Sequence, residues 1–459
     1  MTDGDRLAAK EAQRQGRLLQ SPLSGCQMEM RYVVIPKTTY RKHYEQISNQ
    51  VLWFLQHYLS DPGEAFRSVH LIEDAWHNGY CKANLTIAEA VCEEIEREQT
   101  SAAVILHDYH LYLAPAIIRR RHPSIAIQQF IHIPWPAVRY WQSFLPDELT
   151  QAIYRGLLGN DVLGFQTRRD AQNFLEGARS LLDGADVDVE EGVVSWHNHR
   201  TLVRDYPISI SVREERQLVQ SAAGKRAAER IRPLLGEQTI VRVDRIEPTK
   251  NIVLGFHAYR RLLETHPELR GKVTFLAFLV PSRQTLRKYQ RYKAEVLKLI
   301  EDINQQYGSD GWTPIHAFVE NDRTQALAAM QFYDVLLVNP LIDGMNLVAK
   351  EGPAVNQRGG VLVLSHTAGA FQQLGKAAIP TSPSDLRETA EALYQALTLP
   401  AEERRLKARL ARRIVEHGDL EDWMARQVSD INQVIERRWE EESCHAAERI
   451  AVPITVGAL

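Results

Sequence analysis

A chain of 459 residues that is 44% hydrophobic and 25% charged has the makeup of a globular protein with two or more domains, each burying its own core. Its net charge of -3, from 55 Lys and Arg against 58 Asp and Glu, supplies no bulk basic field for nucleic acid or an anionic membrane, and neither a membrane span nor a signal peptide is visible. Four cysteines (Cys26, Cys81, Cys92, Cys444) without a CxxC pair speak against a zinc or redox motif and for a reduced, cytoplasmic setting. Residues 1–29 are polar and helix-prone, and the first strand expected is 30–36 (MRYVVIP). Helices are expected over 44–58 and 86–98. An apolar run at 102–106 leads into His107-Asp108-Tyr109-His110, and a second strand at 126–133 ends at Pro134-Trp135-Pro136. After helix 145–158, strand 160–165 and helix 168–182, residues 184–203 read as a polar excursion outside the core, and 206–211 (YPISIS) closes the first half.

The alternation then restarts. Strands are expected at 239–243, 273–280, 315–318, 334–338 and 360–365. Helices fall at 252–265, 284–307, 324–331, 384–398, 401–415 and 418–437, leaving 438–459 as a tail. Strands alternating with helices at this spacing imply parallel sheets covered on both faces. The fold class is α/β, with two Rossmann-like doubly wound domains facing across a cleft. The expected division is 1–208, 209–417, a helix at 418–437 that crosses back, and the tail. In open α/β sheets ligands sit beyond the carboxyl ends of the strands. His107-Asp108, His132, Arg245 with Lys250, Arg283 and Asp343 all follow predicted strands, which gathers them at one cleft.

The most telling stretch is 334–358, DVLLVNPLIDGMNLVAKEGPAVNQR. A buried strand is followed by a turn at Asp343-Gly344, where the glycine permits an unusual backbone angle. A helix is expected from Met345 onward. Free N–H groups at Met345, Asn346 and Leu347, with the helix dipole, suit a phosphate. Asp343 suits a sugar hydroxyl, and Glu351, four residues from Leu347 and on its face, suits a ribose. Arg245 and Lys250 in VDRIEPTKN supply fixed cations for a diphosphate, whose growing charge they stabilise as it leaves. Asp108 suits an acceptor hydroxyl. Tyr44 and Trp53, about two and a half turns apart on one helix, form either a sugar-stacking wall or plain core aromatics. His107 and His110 lack the companions of a metal site, and no metal is expected.

The motifs HDYHL, FIHIPWP, GLLGNDVLGFQTRRD, VDRIEPTKN and LIDGMNLVAKE, in that order, resemble the trehalose-6-phosphate synthase family over about 30–437. These are retaining GT-B glycosyltransferases, which move glucose from a nucleotide diphosphate to glucose 6-phosphate. The resemblance implies that Tyr44, Trp53, Asp108 and Arg283 face the acceptor, Arg283 through its phosphate. His132 and Asp343 meet the donor sugar, with Gly344 in the same loop. Arg245 and Lys250 hold the diphosphate, Met345, Asn346 and Leu347 offer backbone N–H groups, and Glu351 binds the ribose. It also implies front-face transfer with retention, without covalent intermediate or metal. The leaving phosphate helps to deprotonate the acceptor. No cofactor is expected beyond the donor substrate, a uridine or guanosine diphosphate glucose.

The sequence departs from the family at its start, where an Arg-bearing strand and a Gly-Gly loop are expected and neither is seen. Such a departure would leave a sheet edge open, with self-association as one outcome. Two alternatives follow: a related transferase using glycerol phosphate or a cyclitol phosphate as acceptor, and a catalytically weak subunit that needs a partner to supply the loop.

Overall fold

The computed structural model describes residues 11, 19–20, 28–59, 69–98, 102–283 and 287–450, with 19–20, 69–71 and 439–450 described by backbone alone. A small antiparallel ribbon pairs β1 (Leu19–Gln20) with β2 (Glu29–Met30). The chain then builds two six-stranded sheets. The first contains β3 (Ala103–His107), β4 (Ala126–Phe130), β5 (Val162–Phe165), β6 (Asp186–Asp188), β7 (Val193–Trp196) and β8 (His199–Asp205) in the order β3-β4-β5-β8-β7-β6. The second contains β9 (Gln238–Arg245), β10 (Val273–Val280), β11 (Ile315–Phe318), β12 (Val335–Val338), β13 (Val361–Ser365) and β14 (Ile379–Thr381) in the order β11-β10-β9-β12-β13-β14.

All pairings in the second sheet are parallel, and the order reverses between β9 and β12, where a doubly wound sheet opens its binding crevice. Its strands are apolar because both faces are covered. Val241, Leu276, Leu336 and Leu362 pack on one side with Leu327 and Met330. Ile240, Phe275, Leu337 and Val363 pack on the other with Phe256 and Leu262. Neighbouring residues in each strand thus enter opposite cores, the period-2 rule applied twice.

The last helix, Leu420–Ile450, returns to the first sheet. Trp423 and Ile431 pack with Phe130, Val162 and Tyr206, Gln128 donates to Gln427 at 2.7 Å, and Arg438 pairs with Asp161. β3 is less well covered. Val104 and Leu106 face Ala88 and Ile118, but Ile105 on the opposite face is 51% exposed. Among the described residues no strand pairs with the outer edge of β3.

Several expectations need correction. The strand expected at 30–36 is only Glu29–Met30, and 31–36 is irregular. The excursion at 184–203 is part of the sheet. The turn at His197 and Asn198, both at positive φ, folds β7 back on β8, so polar turn residues disguised a hairpin. The strand that closes the first half is β8, and 206–211 is the connection between lobes. The last helix does not stop at 437 but continues to Ile450, through part of the expected tail.

Candidate active site

The carboxyl ends of both sheets meet across a cleft. They come into backbone contact at Gly344, where a Cβ would lie 2.2 Å from the carbonyl oxygen of His132. That contact joins the loop after β12 to the loop after β4. It also corrects the expected reason for the glycine. Gly344 is not among the residues at positive φ, and the left-handed position in this loop is Asn346, at φ 73. Gly344 is required because two backbones touch there. Gly369 plays the same part from the loop after β13, since a Cβ on it would strike the Gly344 carbonyl oxygen at 1.8 Å. Its N–H donates to Asp343 O at 2.9 Å, and Ala370 N donates to Met345 O at 2.8 Å, so this loop braces 343–345.

The helix expected from Met345 begins later, at Val348–Val355 with Leu347 as its cap. Asn346 in a left-handed conformation cannot belong to a right-handed helix, so Met345, Asn346 and Leu347 form the lead-in. Their N–H groups still lie at the helix start. Glu351 falls in the first turn, its N–H donating to Leu347 O at 2.8 Å. Burial and the neighbouring Glu215 push the Glu351 carboxyl up to about 7, against the pull of Arg323.

Lys250 and Asp343 form an ion pair between the loops after β9 and β12. Burial opposes both charges, yet each partner's field prevails. The Lys250 ammonium is held above its ordinary value and the Asp343 carboxyl below. Asn346 Nδ2 donates to the same Asp343 oxygen at 3.1 Å. Arg245, the last residue of β9, is half exposed at 54% and pairs with Glu247 at 2.9 Å.

In the first lobe, Asp108 follows β3 with φ 65, and its carboxylate accepts the His132 N–H at 3.3 Å. Burial pushes this carboxyl up to about 7, with the His132 and Tyr109 N–H groups opposing. His132 faces His107 at 3.2 Å, and burial followed by that neighbour lowers it to about 4, so it is a neutral imidazole.

The acceptor-side residues are arranged differently from the wall expected. Helix Arg41–Leu52 is π-helical, and its wider i→i+5 winding replaces the α-turn count used for Tyr44 and Trp53. Trp53 is 4% exposed, with the Arg283 guanidinium 4.0 Å over its ring and His57 stacked at 4.2 Å. It supports Arg283 and offers no open sugar-stacking face. Tyr44 remains 40% exposed, stacked on Tyr40 and His110. Arg283, at φ 42, also donates to Tyr289 Oη at 2.7 Å and to Asn49 Oδ1 at 3.5 Å, linking the lobes.

Sequence reasoning passed over several supports. Glu247, fully buried, holds Arg245 and accepts from Ser282 at 2.7 Å. Arg242, also fully buried, pairs with Asp244 at 2.8 Å and grips Lys250 O at 2.6 Å. The alternation of VRVDR was the available signal, since it turns Arg242 and Asp244 to one face. His57, buried, feels the charges of Asp343, Lys250 and Arg283, and burial lowers it to about 4. A cavity of about 300 Å³ opens beside Asp343, lined by Pro134, Thr167 and Asp170 from the first lobe and Thr367, Gly369 and Gln372 from the second.

The chain as a whole is similar to known proteins. The chain matches Glycosyltransferase family 20 over residues 8–433. It is 32% identical over 402 residues to a trehalose-6-phosphate synthase of Klebsiella pneumoniae, covering 87% of this chain and 81% of that one. It is 34% identical over 372 residues to a bifunctional trehalose-6-phosphate synthase/phosphatase of Thermoproteus tenax, covering 80% of this chain but only 48%, about half, of that longer protein. Among solved structures, one described as from E. coli and bound with UDP-2-fluoro glucose superposes with a TM-score of 0.77 at 30% identity, covering 87% of this chain and 86% of that one. An α,α-trehalose 6-phosphate synthase of Burkholderia multivorans gives 0.80 at 28% identity, covering 89% and 84%. The family match spans both sheets and every loop of the cleft, and the chain belongs to glycosyltransferase family 20, with the two facing lobes of the GT-B fold.

Proposed function

We propose that this protein transfers glucose from a uridine or guanosine diphosphate glucose to glucose 6-phosphate with retention, giving trehalose 6-phosphate. The observation that carries the reading is the meeting of two half-sites at the Gly344–His132 contact. One carries fixed cations and a helix start, and the other carries Asp108 and His132.

The donor side suits a nucleoside diphosphate. Lys250 has three N–H donors and spends one on Asp343, leaving two for phosphate oxygens. Arg245, exposed and steadied by Glu247, adds a second cation, and the lead-in to Val348–Val355 offers backbone N–H groups. These groups stabilise the charge that builds as the diphosphate leaves. Asp343 spends one oxygen on Lys250 and Asn346, and the other suits a sugar hydroxyl. Glu351 suits the ribose.

Reaching across the cleft from the second lobe, Arg283 on its Trp53 platform suits the acceptor phosphate, and Tyr44 suits the acceptor from the first lobe. Asp108 suits the acceptor hydroxyl, and neutral His132 meets the donor sugar. The hydroxyl enters on the face from which the diphosphate departs, and a departing phosphate oxygen takes its proton. The relatives' names support this choice of acceptor. Incubation with each donor and glucose 6-phosphate, following nucleoside diphosphate release, tests the reading. No release with either donor would overturn it.

A further inference from the structure

The connection between lobes, 206–211, is gripped at one residue from both sides. Ile208 N–H donates to Gln166 Oε1 at 3.0 Å, from the loop after β5 in the first lobe. Ile208 C=O accepts from Lys350 Nζ at 2.6 Å, from helix Val348–Val355 of the second lobe. Both side chains are 2% exposed. The second crossing meets the same segment two residues on, where Leu420 N donates to Ile210 O at 3.1 Å.

Each gripping residue has a second attachment that leads to the cleft. Gln166 Nε2 donates to His132 O at 3.4 Å, the very oxygen against which Gly344 packs. Lys350 precedes Glu351 on a helix whose start faces the donor site. A continuous line therefore runs from the donor helix through Lys350, Ile208 and Gln166 to the His132 peptide. It then closes across the cleft at Gly344. A lysine this deeply buried, with its Nζ on a backbone carbonyl, has few reasons to be there. Methionine would fill the space without desolvating an amine, which burial here lowers to about 7.

We propose that Lys350 and Gln166 are positioning residues of the transfer reaction: by holding Ile208 from opposite lobes, they fix the separation between the donor helix and His132. Neither touches substrate. Their contribution is to the geometry of the reacting groups, which the rate feels more than ground-state binding does. The proposal rests on the donor and acceptor sites assigned above.

The test compares Lys350→Met, Gln166→Leu, their double variant and Gln166→Glu, which keeps the acceptor for Ile208 N–H. Transfer kinetics and nucleoside diphosphate affinity are measured separately. For Lys350→Met and Gln166→Leu the expected result is a kcat at least tenfold lower, with donor KM and diphosphate Kd within threefold of wild type. The double variant is expected to be no worse than the poorer single, because both act through Ile208. Gln166→Glu is expected to recover part of kcat. Values of kcat within twofold of wild type, or losses in kcat and Kd that track the folded fraction, would overturn the proposal. If Lys350→Met fails to fold, Gln166→Leu and Gln166→Glu decide. Inactivity of the wild type with both donors would count against the assigned function instead. Amide exchange then decides: in Gln166→Leu the Ile208 amide, which Gln166 Oε1 holds in the wild type, is expected to exchange at least tenfold faster, and an unchanged rate refutes the clamp.

Discussion

Lys250 and Asp343, 93 residues apart in sequence, are bound to each other at the carboxyl end of the second sheet, with side chains only 12% and 17% exposed. Each is therefore a structural partner as well as a proposed ligand group. Lys250→Ala is expected to lower kcat/KM by about 2–4 kcal/mol of transition-state stabilisation. It is also expected to lower stability, because Asp343 is left charged and enclosed. Arg245→Ala is expected to cost a similar amount in activity and some stability as well, because the fully buried Glu247 carboxylate loses its cation and keeps only the Ser282 hydroxyl. Melting temperature and kcat/KM on the same preparations separate the two. In a double-mutant cycle on stability, Lys250 and Asp343 are expected to couple by at least about 1 kcal/mol.

Gly344→Ala places a methyl carbon 2.2 Å from His132 O, with both groups in backbone that cannot yield locally. The lobes must then part at the point where donor and acceptor meet. The expected outcome is a kcat reduced by about a hundredfold or more, as a displacement near 1 Å can produce. Donor binding is expected to change less than kcat. Steady-state kinetics alongside calorimetric titration of nucleoside diphosphate checks this, and a near-normal kcat would contradict it.

Asp108 gives a pH signature. Its folded pKa is raised to about 7 by burial, from about 3.9 in an unfolded chain. Between those values the native state holds a proton that the unfolded state has released. Stability therefore falls as pH rises through this window, by on the order of 4 kcal/mol from this group alone. Asparagine imitates the protonated acid, so Asp108→Asn is expected to melt close to wild type at pH 4 and progressively above it up to about pH 8. Denaturation curves across that range test the sign. A melting difference independent of pH would contradict it.

Glu351 is raised to about 7 by burial and by Glu215, with Arg323 opposing. If its carboxylate accepts ribose hydroxyls, nucleotide affinity is expected to weaken as pH falls through 7. Glu351→Ala is expected to lose about tenfold to a hundredfold in affinity, the worth of a hydrogen bond to a charged group. A nucleoside diphosphate lacking both ribose hydroxyls should bind wild type and Glu351→Ala alike. Isothermal titration with both nucleotides decides between a ribose contact and a purely structural carboxylate.

Much of the fold was legible because a doubly wound sheet buries both faces of its strands. Runs such as VLLV at 335–338 and VTFLAFLV at 273–280 announce themselves. The polar residues directly after those strands could be placed at one cleft for the same reason. What escaped was set by tertiary contact. The hairpin ending in β8 is polar on its turn, which hides its strands from a reading of the sequence alone. Trp53 was legible as an aromatic, but its cover by Arg283 depends on a loop more than two hundred residues away. Gly344 drew attention for its freedom of rotation, whereas its place is fixed by an oxygen in the other lobe. Lys350 and Gln166 carried no local signal, because their shared partner is a backbone group.

The most direct test of the proposed activity follows nucleoside diphosphate release and the anomeric proton of the product together. The wild-type protein is incubated with uridine or guanosine diphosphate glucose, with and without glucose 6-phosphate. The account predicts release that depends on the acceptor and one equivalent of a disaccharide phosphate that keeps the donor's α configuration. Release at the same rate without acceptor, a product of inverted configuration, or no release with either donor would contradict it.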